Sequence, residues 1–248
     1  LAQDRTATLV LLSYNERDNL ASLLKNIPFE VFEQVLAIDA GSTDGTLELY
    51  REWGIPCVIQ SKAGRGNAFT LAERLLKTEY AVFFSTDGNE NPADLPRILE
   101  YLREGNDLVI AGRYLLPGSK TDDSDDPFLL RKTAGILGSL IVRVLWQTGV
   151  RDCINGLRGF KVTSLIRLKL DAEWHEIELQ STIRAAKLGM RIKEFGTAEQ
   201  LRIKGVHKES ANTSTLLLSL GRMLLREIIV GKKFGQKGPR STENVPFS

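Results

Sequence analysis

Short apolar runs alternate with amphipathic stretches across the first 112 residues of this chain, and few folds accept that pattern. Residues 8–12, 34–38, 56–60, 80–84 and 107–111 are rich in Val, Ile, Leu or Phe, as strands buried on both faces are. Residues 16–27, 44–53, 67–77 and 93–103 between them carry helical patterning, and Asn91 and Pro92 stand where an N-cap and a first-turn proline belong. The alternation predicts βαβ units, hence an α/β chain on a mostly parallel sheet. Ligands then bind at the carboxyl ends of the strands.

Past Arg113 the pattern changes. Residues 116–127 read as a loop with an acidic run, residues 128–147 as a long apolar helix broken by Arg131, Lys132 and Arg143, and residues 175–188 as a further helix. A strand is expected at 190–195, an amphipathic helix at 215–230 and a loose basic tail from Lys232. The expected organisation is one domain over residues 1–231, with a first half to 113, a second from 114, and a tail over 232–248.

Charge divides the same way. Residues 1–126 hold 12 Lys and Arg against 21 Asp and Glu, whereas residues 127–248 hold 21 against 10. The basic half implies an anionic partner. With three Trp and five Tyr, and no basic-aromatic interleaving, nucleic acid is not the expected one. Cys57 and Cys153 are far apart and outside any CxxC pair, so they read as packing residues of a reducing compartment. No uncharged apolar stretch reaches the ~18 residues of a spanning helix.

Chemistry is expected at the strand ends. The first strand runs into Ser13-Tyr14-Asn15-Glu16, the second into Asp39-Ala40-Gly41-Ser42-Thr43-Asp44-Gly45-Thr46, and the third into Gly64-Arg65-Gly66-Asn67-Ala68. The fourth leads to Ser85-Thr86-Asp87-Gly88-Asn89-Glu90-Asn91 and the fifth to Gly112-Arg113-Tyr114. Gly64-x-Gly66 lacks the third glycine of a dinucleotide fingerprint and follows the wrong strand. Asp87, Asn89 and Glu90 offer hard oxygen donors of the kind Mg²⁺ or Mn²⁺ takes, and a polar turn has the same composition.

In this order the motifs resemble the family-two glycosyltransferases of the GT-A fold. Arg131, the run Asp152-Cys153-Ile154-Asn155-Gly156-Leu157-Arg158, and Arg202-x-x-Gly205-x-x-Lys208 resemble the dolichol-phosphate mannose synthase branch. The resemblance implies an inverting enzyme that moves a sugar, mannose from GDP-mannose first and glucose from UDP-glucose next, to a polyprenyl phosphate. It implies peripheral membrane contact on the cytosolic face. Tyr14, Asn15, Glu16 and Asp39 fall on the base and ribose positions, with Gly41, Gly64 and Gly66 also on the donor side. Arg202 and Lys208 match a pair closing over the donor diphosphate.

Asp87 falls on the second acid of the family's Asp-x-Asp metal motif and Asn89 on a nearby ligand, implying Mg²⁺ or Mn²⁺. Arg113 and Arg131 match arginines that grip the acceptor phosphate; Arg158 is placed with them, and Glu178, in its helix setting, is expected to be structural or to position the acceptor. Three positions depart from the pattern: Ser85 replaces the first metal acid, Ala40 the second acid after strand two, and His207 a serine before Lys208.

Overall fold

The computed structural model describes residues 7–121, 129–200, 213–232 and 234. A seven-stranded sheet in the order β3-β2-β1-β4-β6-β5-β7 forms its centre. The strands are β1 (Ala7–Ser13), β2 (Gln34–Asp39), β3 (Cys57–Ile59), β4 (Tyr80–Ser85), β5 (Leu108–Gly112), β6 (Arg158–Lys161) and β7 (Ile192–Gly196). Strand β6 runs antiparallel to both β4 and β5, and every other pairing is parallel.

The five apolar runs of the first half are all strands, and every residue of β1, β4 and β5 is buried. Helices cover the two faces that those strands cannot expose. They are α1 (Arg17–Leu23), α2 (Thr46–Glu52), α3 (Arg65–Leu75), α4 (Leu95–Arg103), α5 (Leu130–Trp146), α6 (Val162–Leu168), α7 (Glu176–Lys187) and α8 (Thr213–Val230). One core has Val10, Leu36, Phe83 and Phe160 under α3, α6 and α7; the other has Leu9, Leu11, Val82 and Phe84 under α1, α2 and α4. Asn91 caps as expected, accepting from the Ala93 N–H at 3.1 Å, with Pro92 opening the short 3₁₀ turn before α4.

Strand β6 and helix α6 are not expected from the sequence. Arg-Gly-Phe-Lys has no strand periodicity of its own; tertiary pairing recruits it. Its residues 158–160 lie between residues 81–83 of β4 and 108–110 of β5, with Gly159 between Val82 and Val109, bringing a segment of the basic half into the middle of the sheet. Gly159 permits this, since a Cβ there would strike the Leu102 side chain at 2.9 Å. The acidic run 122–126, the expected lid residues Arg202 and Lys208, His207 and the tail beyond Phe234 lie outside the described residues.

Candidate active site

Three loops meet at the carboxyl edges of β1, β2 and β4. The first two are stapled together by backbone N–H groups of each donating to side-chain oxygens of the other. The Asn15 N–H donates to Ser42 Oγ at 2.7 Å, the Thr43 N–H to Asn15 Oδ1 at 2.8 Å, and the Arg17 N–H to Asp44 Oδ2 at 3.1 Å. Asn15 adopts φ +54°, a left-handed conformation that Asn tolerates better than most residues. Asp44 also accepts from the Thr46 N–H at 3.0 Å, so it starts α2 as well as clipping α1.

Asp39 is fully buried at the end of β2. Its Oδ1 accepts from the Gly41 and Ser42 N–H groups at 2.8 and 2.6 Å, and its Oδ2 from the Ser13 and Ser42 hydroxyls at 2.8 and 2.7 Å. The carboxylate thus builds the turn that carries Gly41. Glu16 accepts from Asn19 at 2.7 Å, and Tyr14 is exposed beside it. Gly64 and Gly66 serve packing: a Cβ on either would collide with the backbone of residues 172–173.

Around the end of β4 the side chains are charged and mostly buried. Asp87 Oδ1 accepts from the Asn89 N–H at 3.1 Å. Glu90 turns inward and accepts from the Ser85 N–H at 2.7 Å. Burial, opposed by Arg65 and reinforced by Asp87, pushes the Glu90 carboxyl up to about 8. Arg65, between the two glycines, donates from Nη1 to Ser85 Oγ at 2.6 Å and from Nε to Glu178 Oε1.

Two residues expected on the acceptor side are corrected. Arg158 is fully buried in β6, and its guanidinium donates to the carbonyls of Cys153, Asn155 and Glu178 and to the Ser181 hydroxyl. Burial lowers it to about 10, against the pull of Glu178 and Asp152. It remains charged, with no face open to a phosphate. Glu178 is buried too, and its role is to pair with Arg65. Spacing in the sequence could not separate these from open residues, because the helix and strand that enclose them come from distant segments.

Arg113 follows β5, and Asp152 fixes it. The Asp152 carboxylate accepts from the Arg113 backbone N–H at 2.9 Å, from Nε at 2.8 Å and from Nη2 at 3.2 Å, and Glu199 takes Nη1 at 3.3 Å. Burial lowers the guanidinium pKa, but Asp152 outweighs it and holds Arg113 well above its ordinary value. Arg131 sits in the first turn of α5; its side chain lies outside the described residues.

Asp152 is in turn positioned by Glu194 of β7, which accepts from the Arg151 and Asp152 N–H groups at 2.8 and 2.7 Å. Burial, opposed by those two N–H groups and aided by Asp152, moves Glu194 up to about 7. The raised value means the folded state keeps a proton that the unfolded chain releases from about pH 4.5. Stability from this group is complete below that pH and is lost as pH rises to about 7. Urea midpoints measured at pH 5 and pH 8 are expected to fall more for the wild-type chain than for Glu194→Gln. An equal fall would remove Glu194 as the cause.

Residues 8–168 match the model of glycosyl transferase family 2. The chain belongs to that family. Glycosyltransferase AglJ of Haloferax volcanii is 30% identical over 182 residues, covering 72% of this chain and 58% of the relative. Thus the chain spans little more than half the length of that protein. Polyprenol monophosphomannose synthase of Mycolicibacterium smegmatis is 29% identical over 220 residues, covering 83% and 82%. Among solved structures, glucosyl-3-phosphoglycerate synthase of Mycobacterium tuberculosis with Mn²⁺, UDP and phosphoglyceric acid superposes with a TM-score of 0.71. It is 19% identical and covers 90% of this chain and 78% of that one, a likeness of fold. The fold is GT-A and the chain is a glycosyltransferase.

Bound Mn²⁺ in that neighbour raises the question whether these residues fit a divalent ion. Among the described residues, no three of His, Cys, Asp and Glu group as a metal cage. Asp87 and Asn89 fit the other mode, in which one carboxylate holds an ion that keeps water and substrate phosphates as its remaining ligands.

Proposed function

We propose that this glycosyltransferase moves mannose from GDP-mannose to a polyprenyl phosphate, with inversion, at the cytosolic face of a membrane. The observation that carries the lipid acceptor is a pair of apolar helix faces left open. Helix α5 exposes Leu137, Leu140, Val144 and Leu145, and α8 exposes Leu218, Leu225, Ile228 and Ile229. Scattered singly such residues need no explanation; gathered on two helices they suit an interface with acyl chains. Among the described residues no helix is long and apolar enough to cross a membrane, so the proposed contact through these helices is peripheral. The name of the M. smegmatis relative supports the same acceptor and sugar.

In this reading the turn built by Asp39, with Tyr14, Asn15, Glu16 and Gly41, holds the nucleotide. Asp87 and Asn89 face the donor diphosphate; an ion bound there neutralises charge on the leaving group. Arg202 and Lys208, outside the described residues, are assigned to the donor diphosphate by the resemblance alone. Arg113, held on one side by Asp152, takes the acceptor phosphate on the side that Glu199 covers, and Arg131 is assigned to the same phosphate by the resemblance. A phosphate monoester is anionic at neutral pH and needs no general base. One of its oxygens forms a bond to the anomeric carbon as the bond to the nucleoside diphosphate breaks. The arginines orient the attacking group and offset repulsion between two anions.

Displacement in line converts an α-linked donor into a β-linked product. Radiolabelled GDP-mannose and UDP-glucose incubated with polyprenyl phosphate are expected to give a lipid-extractable product from GDP-mannose. NMR of that product is expected to show the β anomer. An α-linked product would overturn inversion, and label appearing only in water-soluble product would overturn the lipid acceptor.

A further inference from the structure

At the metal motif a cation of the chain itself is already in place. Arg65 starts α3, where a positive side chain opposes the helix dipole, so its seat has to be made by other groups. Glu178 of α7 takes Nε, and Glu90 Oε1 lies 3.8 Å from Nη2. Burial pulls the guanidinium pKa down, but Glu178 and Glu90 outweigh that and hold it above its ordinary value. Gly156 leaves room for it, since a Cβ there would collide with Nη2 and come within 2.8 Å of Glu90 Oε1. Nη2 is buried without a hydrogen-bond partner.

The target of this seat is residue 85, the position of the first acid in the Asp-x-Asp motif. The Ser85 hydroxyl and N–H are both engaged: Oγ accepts from Arg65 Nη1, and the N–H donates to Glu90. An ion placed between residues 85 and 87 therefore meets a hydroxyl already in use and a fixed positive charge behind it.

We propose that Arg65, seated against Ser85, replaces one half of the divalent-metal site, so that an ion enters only together with the nucleoside diphosphate. This rests on the glycosyltransferase reading of the site. Asp87 alone attracts a cation weakly; with the diphosphate present, phosphate oxygens supply the missing ligands. The two bindings are then coupled, and each strengthens the other by one common factor.

The test is Mn²⁺ binding followed by electron paramagnetic resonance, with and without GDP or UDP, alongside calorimetric titration of each nucleotide in EDTA and in Mn²⁺. Wild-type protein is expected to bind Mn²⁺ at least about tenfold more tightly with the nucleotide than without it, and the nucleotide to gain by the same factor. Ser85→Asp alone is expected to leave nucleotide-free Mn²⁺ binding unchanged, because Arg65 pairs with the new carboxylate. Ser85→Asp combined with Arg65→Met and Glu178→Gln removes the resident cation and its partner together. It is expected to bind Mn²⁺ without nucleotide at least about tenfold more tightly than Ser85→Asp does.

Equal Mn²⁺ affinity with and without nucleotide in the wild-type protein overturns the proposal while leaving the transferase reading intact. So does a gain from Ser85→Asp alone. The wild-type and single-variant arms are decisive by themselves, so the proposal stands or falls even if the triple variant does not fold. If neither GDP nor UDP binds under any condition, the donor assignment falls and takes this inference with it.

Discussion

Asp87→Asn is expected to slow sugar transfer about a thousandfold while leaving the circular-dichroism spectrum and unfolding midpoint near wild type. The side chain stands just past β4, whose six residues are all buried, so the strand delivers it rigidly to the carboxyl edge of the sheet. It is part-buried and outside the core, which is why folding tolerates the change. Neutralising a leaving diphosphate contributes several kcal/mol in the transition state, or roughly three tenfold steps in rate. Single-turnover transfer with labelled donor checks it. A variant that keeps wild-type rate, or an enzyme indifferent to EDTA, would falsify the assignment of Asp87 to the diphosphate.

The second large effect is on stability and concerns a different cluster. Glu227 of α8 is fully buried and receives Arg184 Nη2 at 2.9 Å and Lys187 Nζ at 2.6 Å, both from α7. Arg184 also holds Asp171 at 3.0 Å, which in turn binds Arg226. Glu227→Gln leaves two buried cations facing one neutral amide, and breaking a buried pair in this way costs about 3–5 kcal/mol. In a chain of this size that lowers Tm by roughly 10 °C. Replacing the group together, as Glu227→Leu with Arg184→Leu and Lys187→Met, is expected to recover most of the loss, since apolar packing can match a buried ionic group. Calorimetric Tm values for the two variants decide it; equal losses would mean that packing volume, not charge pairing, is what α8 needs.

The first half of the chain is legible because local and tertiary demands coincide there. A strand buried on both faces must be apolar throughout, so residues 80–84 declare themselves without knowledge of their neighbours, and Asp87, Asn89 and Asp39 follow as strand-end groups. The same logic places Tyr14, Asn15 and Glu16 together. Arg65 gives a fainter signal between its two glycines, although a cation in the first turn of a helix is itself a sign that distant carboxylates hold it. Arg158 and Glu178 read as outward groups because an arginine and a glutamate are usually exposed. Their burial depends on β6 entering the sheet beside β4 and on α7 packing over it, and neither is encoded in nearby residues.

Sequence by itself determined the parallel sheet, the order of its strand-end motifs and the family to which they belong, since each of those rests on short-range patterning. Tertiary structure decided which charged groups are open and which are spent: Arg113 clamped by Asp152, Arg158 enclosed, Arg65 seated at Ser85. It also decided the rotation of α8. That helix is apolar on more than one side, so periodicity cannot say which face turns inward. Glu227 can, because a carboxylate is stable in the interior only where Arg184 and Lys187 meet it. With Glu227 and Met223 turned in, Leu225, Ile228 and Ile229 are turned out.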